Sequence, residues 1–167
     1  RRRSVTISRI IPIMLVSGYS GIGKSVLVQE LFKSITKRRG YYIAGKFDQL
    51  QKNIPYFAIL KAFQELVRQL LSEPEEELKS WKNKILRELG NNGAVITDVI
   101  KELELIIGEQ PALPDLGPSE TQNRFFEAFQ RFIGVFARPE HPLALFLDDL
   151  QWADVASLKL IESLCKE

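Results

Sequence analysis

Two hydrophobic periods alternate along this chain. Continuous apolar runs rich in branched or aromatic side chains stand at residues 10–16 (I-I-P-I-M-L-V), 41–47 (Y-Y-I-A-G-K-F) and 143–147 (L-A-L-F-L), and each reads as a strand. The last has no polar break, the pattern of a strand buried on both faces. Between the runs, apolar residues return every three or four positions, the spacing of one helix face. Leu27, Val28, Leu31, Phe32 and Ile35 form the first such stripe, with the cationic Lys37-Arg38-Arg39 and then Gly40 as its stop. Strand, helix and strand in that order predict a right-handed βαβ unit in a parallel sheet.

The middle of the chain reads as helical. Residues 48–54 are polar loop, and Pro55 is a first-turn residue for a helix carrying Phe57, Leu60, Phe63, Leu66, Val67, Leu70 and Leu71. Pro74 and the acidic Glu75-Glu76-Glu77 open a second, through Trp81, Ile85 and Leu86 to Gly90. Val95, Ile96, Val99, Ile100, Leu103, Ile106 and Ile107 predict a third helical stripe, whose pattern allows a break, with its stop at Gly108. Prolines 111, 114 and 118 mark residues 109–118 as a loop. Ser119 and Gln122 then have the spacing of a capping box for a helix with Phe125, Phe129, Phe132, Ile133 and Phe136 on its buried face. Asp154 is placed to cap a final helix through Leu158, Ile161 and Leu164.

Composition narrows the class. The 167 residues are 45% hydrophobic and 26% charged, ordinary for one folded domain with a sizeable core, and the net charge is only +2. No basic stripe with interleaved aromatics appears, so nucleic acid is not an expected partner, and no run approaches a membrane span. Cys165 is the only cysteine, which rules out an internal disulfide and fits a reducing, cytoplasmic setting. Arg1-Arg2-Arg3 before an apolar run imitates a secretory leader, but Pro12 interrupts the run and no small-residue cleavage site follows. A chain that begins at Arg reads as a piece of a longer protein.

The chemistry is concentrated where the first strand breaks. Gly18-Tyr19-Ser20-Gly21-Ile22-Gly23-Lys24-Ser25 is G-x-x-x-x-G-K-S, a phosphate-binding P-loop. Its glycines let successive backbone N–H groups curl inward around an anion, capped by the positive end of the next helix. Lys24 is expected to reach the β- and γ-phosphates, Ser25 to hold magnesium, and Val26 to complete the cradle. The pattern arises by chance in roughly one chain in a few hundred of this length, and its place between a strand and a helix makes chance rarer still.

A second acidic element answers it. The run at 143–147 ends in Asp148-Asp149, the Walker B pattern. Magnesium prefers oxygen ligands and keeps several waters, so Asp148 is the expected metal carboxylate beside Ser25. Asp149 is read as the group that orients or deprotonates an attacking water, against the plainer reading that it begins a turn. Gln151 is placed to position water or couple to the γ-phosphate, and Trp152 to pack. Lys46 and Asp48 read as a solvated loop pair, Arg124 as a surface salt-bridge residue, and His141, between Pro139 and Pro142, as a solvated loop residue.

G-Y-S-G-I-G-K-S, Y-Y-I-A-G-K-F-D-Q-L-Q, E-T-Q-N-R-F and L-F-L-D-D-L-Q-W-A-D together resemble the AAA-type ATPase domain of bacterial, especially cyanobacterial, hybrid signalling kinases, which is similar to the STAND class of P-loop proteins. The resemblance implies a three-layer α/β/α P-loop fold with a parallel sheet, ATP as ligand, Mg2+ as cofactor, and catalysis by Lys24 and Asp149. It divides the chain into a linker (1–9), a P-loop βαβ unit (10–54), a helical insertion (55–137) and the Walker B strand with its helix (138–167). It also implies other modules of the same polypeptide as partners, a serine/threonine kinase, a GAF module and a histidine kinase, with self-association open. Residues 1–11 lack the glycine-arginine-glutamate approach usual before such P-loops. The family's sensor strand, lid and arginine finger have no counterpart after the last helix, which implies poor ATP binding or slow turnover by this piece alone. A nucleotide-sensing scaffold without hydrolysis and a P-loop small-molecule phosphotransferase are the alternative readings.

Overall fold

A computed structural model describes residues 23–165. The strand expected at 10–16, Gly18, Tyr19, Ser20, Gly21 and Ile22, and the side chains of Lys24 and Ser25 lie outside the described residues.

Helix α1 (Lys24–Lys37) is followed by strand β1 (Tyr41–Lys46), helices α2 (Phe57–Leu71), α3 (Glu75–Leu89), α4 (Gly93–Thr97), α5 (Glu104–Ile107) and α6 (Pro118–Phe136), strand β2 (Leu143–Asp148) and helix α7 (Val155–Cys165). β1 and β2 pair in parallel, Tyr41 opposite Leu143 through Lys46 opposite Asp148. Parallel strands need a crossover, and here it is the whole run of α2 to α6.

Strand side chains alternate between faces, which sorts the helices onto two sides of the sheet. Tyr41 and Ile43 face the α2–α6 layer, where the Tyr41 ring meets Trp81 at 5.8 Å and Phe136 at 6.3 Å. Tyr42, on the opposite face, meets Phe32 of α1 edge-on at 5.1 Å. Gly45 lies against the α2 side, where an added Cβ would collide with the carbonyl oxygen of Ala58. That bare backbone lets α2 sit directly on β1.

The main core lies in the helical layer. Phe63 of α2 packs on Phe129 at 5.1 Å and Phe132 at 5.8 Å, and Phe132 on Phe136 at 5.2 Å, so the phenylalanine stripe of α6 is core. Ile85, Leu89, Ile96, Ile100 and Leu103 join it, fully buried. The stripe at residues 93–107 is broken as the pattern allowed, into α4, a 3-10 turn (Lys101–Leu103) and α5, and it stops at Gly108 with φ 82.

Several local expectations are corrected. Gly40 is not the residue that turns left-handed after α1: Arg39 is, at φ 53, and Gly40 is needed because a Cβ would strike the carbonyl of Pro142. Pro55 precedes α2 rather than entering its first turn, since Tyr56 is the cap residue, at φ 62. Ser119 is not the cap, because α6 starts two residues earlier than a Ser119 cap would set it, with Gly117 as cap and Pro118 in the first turn. Prolyl φ is preset for that position, so proline displaced the capping box. Strand β2 is not sealed on both faces: residues 143–147 are half-buried and Asp148 is exposed.

Candidate functional site

The register that pairs Tyr41 with Leu143 brings Lys46 and Asp148 side by side at the carboxyl ends of the strands. This is the end where open α/β sheets bind ligands. Both residues share the sheet face of Tyr42, the face covered by α1. Tyr42 registers the nearness of Asp148: its phenol is pushed up by burial and then by the Asp148 charge.

Asp148 is exposed, and its Oδ1 accepts the Asp149 amide at 2.9 Å. The chain then turns sharply, with Asp149 at φ 55 and ψ 45 leading into a 3-10 turn (Leu150–Trp152). Aspartate is among the few non-glycine residues that enter this region at modest cost. Its carboxylate holds the turn from two sides. Gln151 Nε2 donates to Oδ1 at 3.2 Å, and Lys46 Nζ stands 3.5 Å from Oδ2. Asp149 thus both begins a turn and presents a carboxylate beside Asp148.

Lys46 is therefore not half of a solvated pair with Asp48. Asp48 turns the other way and accepts the Leu50 amide at 2.7 Å, capping its own 3-10 turn (Gln49–Gln51). Strand pairing decides the difference, because it places Lys46 next to the acidic end of β2. A hydrophobic pattern read one segment at a time does not show which strands are neighbours. A parallel pairing of the two runs, once assumed, would have exposed it.

The remaining candidates separate from the site. Arg124 donates to the Pro114 carbonyl at 3.1 Å and ties the 109–118 loop to α6; among the described residues it makes no surface salt bridge. His141 is half-buried, not a solvated loop residue. Its Nδ1 lies 2.8 Å from the Phe136 carbonyl, and its ring packs 5.2 Å from Trp81. Trp152 packs against the core. Asp154 caps α7 as expected, accepting the Ser157 amide at 2.8 Å and its hydroxyl at 2.6 Å.

The chain matches the AAA ATPase domain family over residues 3–167 and belongs to it. Its mixed α/β architecture with a parallel sheet is that of a P-loop fold. It is 49% identical over 152 residues to the Hybrid signal transduction histidine kinase G of Dictyostelium discoideum, covering 90% of this chain and 4% of that protein. It is 22% identical over 167 residues to Histidine protein kinase 1 of Candida albicans, covering 90% of this chain and 7% of that one. A third relative, the Peroxide stress-activated histidine kinase mak3 of Schizosaccharomyces pombe, is 31% identical over 105 residues, 60% of this chain and 4% of the relative. The chain thus spans a small fraction of each of these proteins. No solved structure matches it. Among the described residues, no helix is long and apolar enough to cross a membrane.

Proposed function

We propose that this chain is the magnesium-dependent, ATP-binding and ATP-hydrolysing switch module of a longer signalling histidine kinase. The observation that carries the reading is the placing of Asp148 and Asp149 at the carboxyl ends of parallel strands, on the face covered by the helix that the G-K-S motif opens. Only residues 38–40 separate α1 from β1, and Phe32 of α1 meets Tyr42 of β1, so an α1 that runs back along the strand would bring its first turn toward the acidic end. Gly18, Tyr19, Ser20, Gly21, Ile22, Gly23 and Val26 would form the phosphate cradle, with Lys24 on the β- and γ-phosphates.

Magnesium fits the donors available. Ser25 and Asp148 offer oxygen, the latter on an exposed carboxylate, and magnesium completes its shell with phosphate and water. When bound, the ion would neutralise phosphate charge; Asp149 would orient the attacking water, and Lys46 and Gln151 would hold Asp149 in place. The relatives named above support a histidine kinase as the module's setting. The finer assignment to the bacterial and cyanobacterial STAND class, and the serine/threonine kinase and GAF modules, rest on the motif resemblance alone; the relatives named above come from Dictyostelium, Candida and Schizosaccharomyces, not from bacteria.

A second reading, nucleotide sensing without hydrolysis, is favoured by one feature: Asp149 already holds two partners and would have to release them to act on water. Phosphate release by the full-length protein and its Asp149→Asn variant separates the two. Hydrolysis predicts turnover that falls by about a hundredfold or more with ATP binding kept. Absent turnover in the native protein, with signalling unaffected by the substitution, would establish the sensor instead.

A further inference from the structure

Among the described residues, three non-glycine positions have left-handed backbone, and two of them, Tyr56 and Asp149, belong to one connected unit. From Asp149 the chain is held residue by residue. Trp152 N–H donates to the Asp149 carbonyl at 2.9 Å, and Ala153 N–H to the Leu150 carbonyl at 3.0 Å. This delivers Asp154, only 8% exposed, to the seam between the sheet and the helical layer.

There Asp154 does more than cap α7. Its Oδ1, which accepts the Ser157 amide, also faces the amide of Tyr56 at 3.4 Å, across 98 residues of sequence. Tyr56 is the cap residue of α2, with left-handed backbone at φ 62. Its ring packs on Phe125 of α6 at 4.7 Å. One buried carboxylate therefore joins the acidic turn, the start of α7, the start of α2 and, through one ring, the first half of α6.

We infer that segment 149–154 and Tyr56 form a conformational junction: a change in the backbone at Asp149, where nucleotide would act, is passed through Asp154 to α2 and α6. The inference rests on the nucleotide reading for the source of the signal, not for the junction itself. Its physical content is a two-state element. Holding a non-glycine residue at φ 55 carries a modest backbone cost, offset by the ties that Lys46 and Gln151 make to its carboxylate. Lys46 and Asp149 would be drawn to a bound triphosphate and its metal, and the released turn would carry Asp154 with it. The helical layer shares one core with β1 and α7, from Ile43 to Leu164, so a shift at Tyr56 would be felt across it.

Hydrogen exchange on the full chain tests this in two arms. The first uses no nucleotide. Asp149→Gly keeps the left-handed turn accessible but removes both side-chain partners, and should speed exchange in peptides covering 54–60 and 121–129 by about threefold. Asp154→Ser keeps a cap for α7 but is too short to reach Tyr56, and in that background the same substitution should leave both peptides unchanged. A thermal melt confirms that each variant folds. The junction is overturned if Asp149→Gly leaves both peptides untouched, or changes them equally with Asp154 replaced. In the second arm, magnesium-ATP should slow the same peptides in the native chain and not in Asp154→Ser, with calorimetric binding retained. A response that survives in Asp154→Ser overturns the junction. A native chain that binds no nucleotide overturns the nucleotide reading, while the first arm still decides the junction.

Discussion

Tyr41 shows how much one side chain at the start of β1 carries. Burial first, then the charges of Glu73 and Glu77, push its phenol up from 10.0 to about 12, against the opposing hydrogen bond with Trp81. The folded state thus favours the neutral phenol. Below pH 10 both folded and unfolded chains are protonated, and the preference is fully present; as pH rises from 10 to about 12 the unfolded chain releases its proton first, and stability falls. Urea midpoints across that window should drop for the native chain and drop less steeply for Tyr41→Phe; equal slopes would contradict the assignment. Tyr42 and Tyr56, also raised by burial, contribute in the same direction, so the slope shrinks rather than vanishes. At this scale the sequence was legible where chemistry is local. Asp154 as a cap followed from its place before a helical stripe. Lys46 against Asp149, and His141 against Trp81, did not follow, because each depends on a neighbour brought by the fold.

Elements follow from periodicity, and their junctions from space. The run at 41–47 gave β1 and the phenylalanine spacing gave α6, while the parallel pairing of β1 with β2 was not specified by periodicity. Element starts were less legible wherever two signals competed, as at Pro118 against Ser119. Gly45 was legible only as a strand residue, although it governs how α2 meets the sheet. Gly45→Ala would force its new methyl group into the Ala58 carbonyl, and overpacking of this kind costs about 1–3 kcal/mol. Equilibrium urea unfolding should show that loss; an unchanged midpoint would mean that α2 can lift off β1 freely. The ion pair at the other end of β1 contributes little to stability by comparison, since the Lys46 side chain is 69% exposed. Its importance is positional.

For the whole molecule, the central claim is that two distant stretches of sequence, the glycine-rich turn before α1 and the acidic end of β2, form one nucleotide site. The spacing of G-x-x-x-x-G-K-S and the paired aspartates made that expectation readable without a structure, because phosphate and magnesium chemistry demand those residue types. The sequence could not show how the acidic turn is wired to the helical layer, since a contact between residues 98 apart leaves no local period. The most direct measurement is isothermal titration of magnesium-ATP into the full-length protein and into its Lys24→Ala variant. The account predicts a saturable isotherm for the native protein and affinity weaker by about ten- to a hundredfold for the variant, the loss expected when a charged hydrogen bond to phosphate is removed. Superimposable isotherms, or no binding by the native protein, would contradict it.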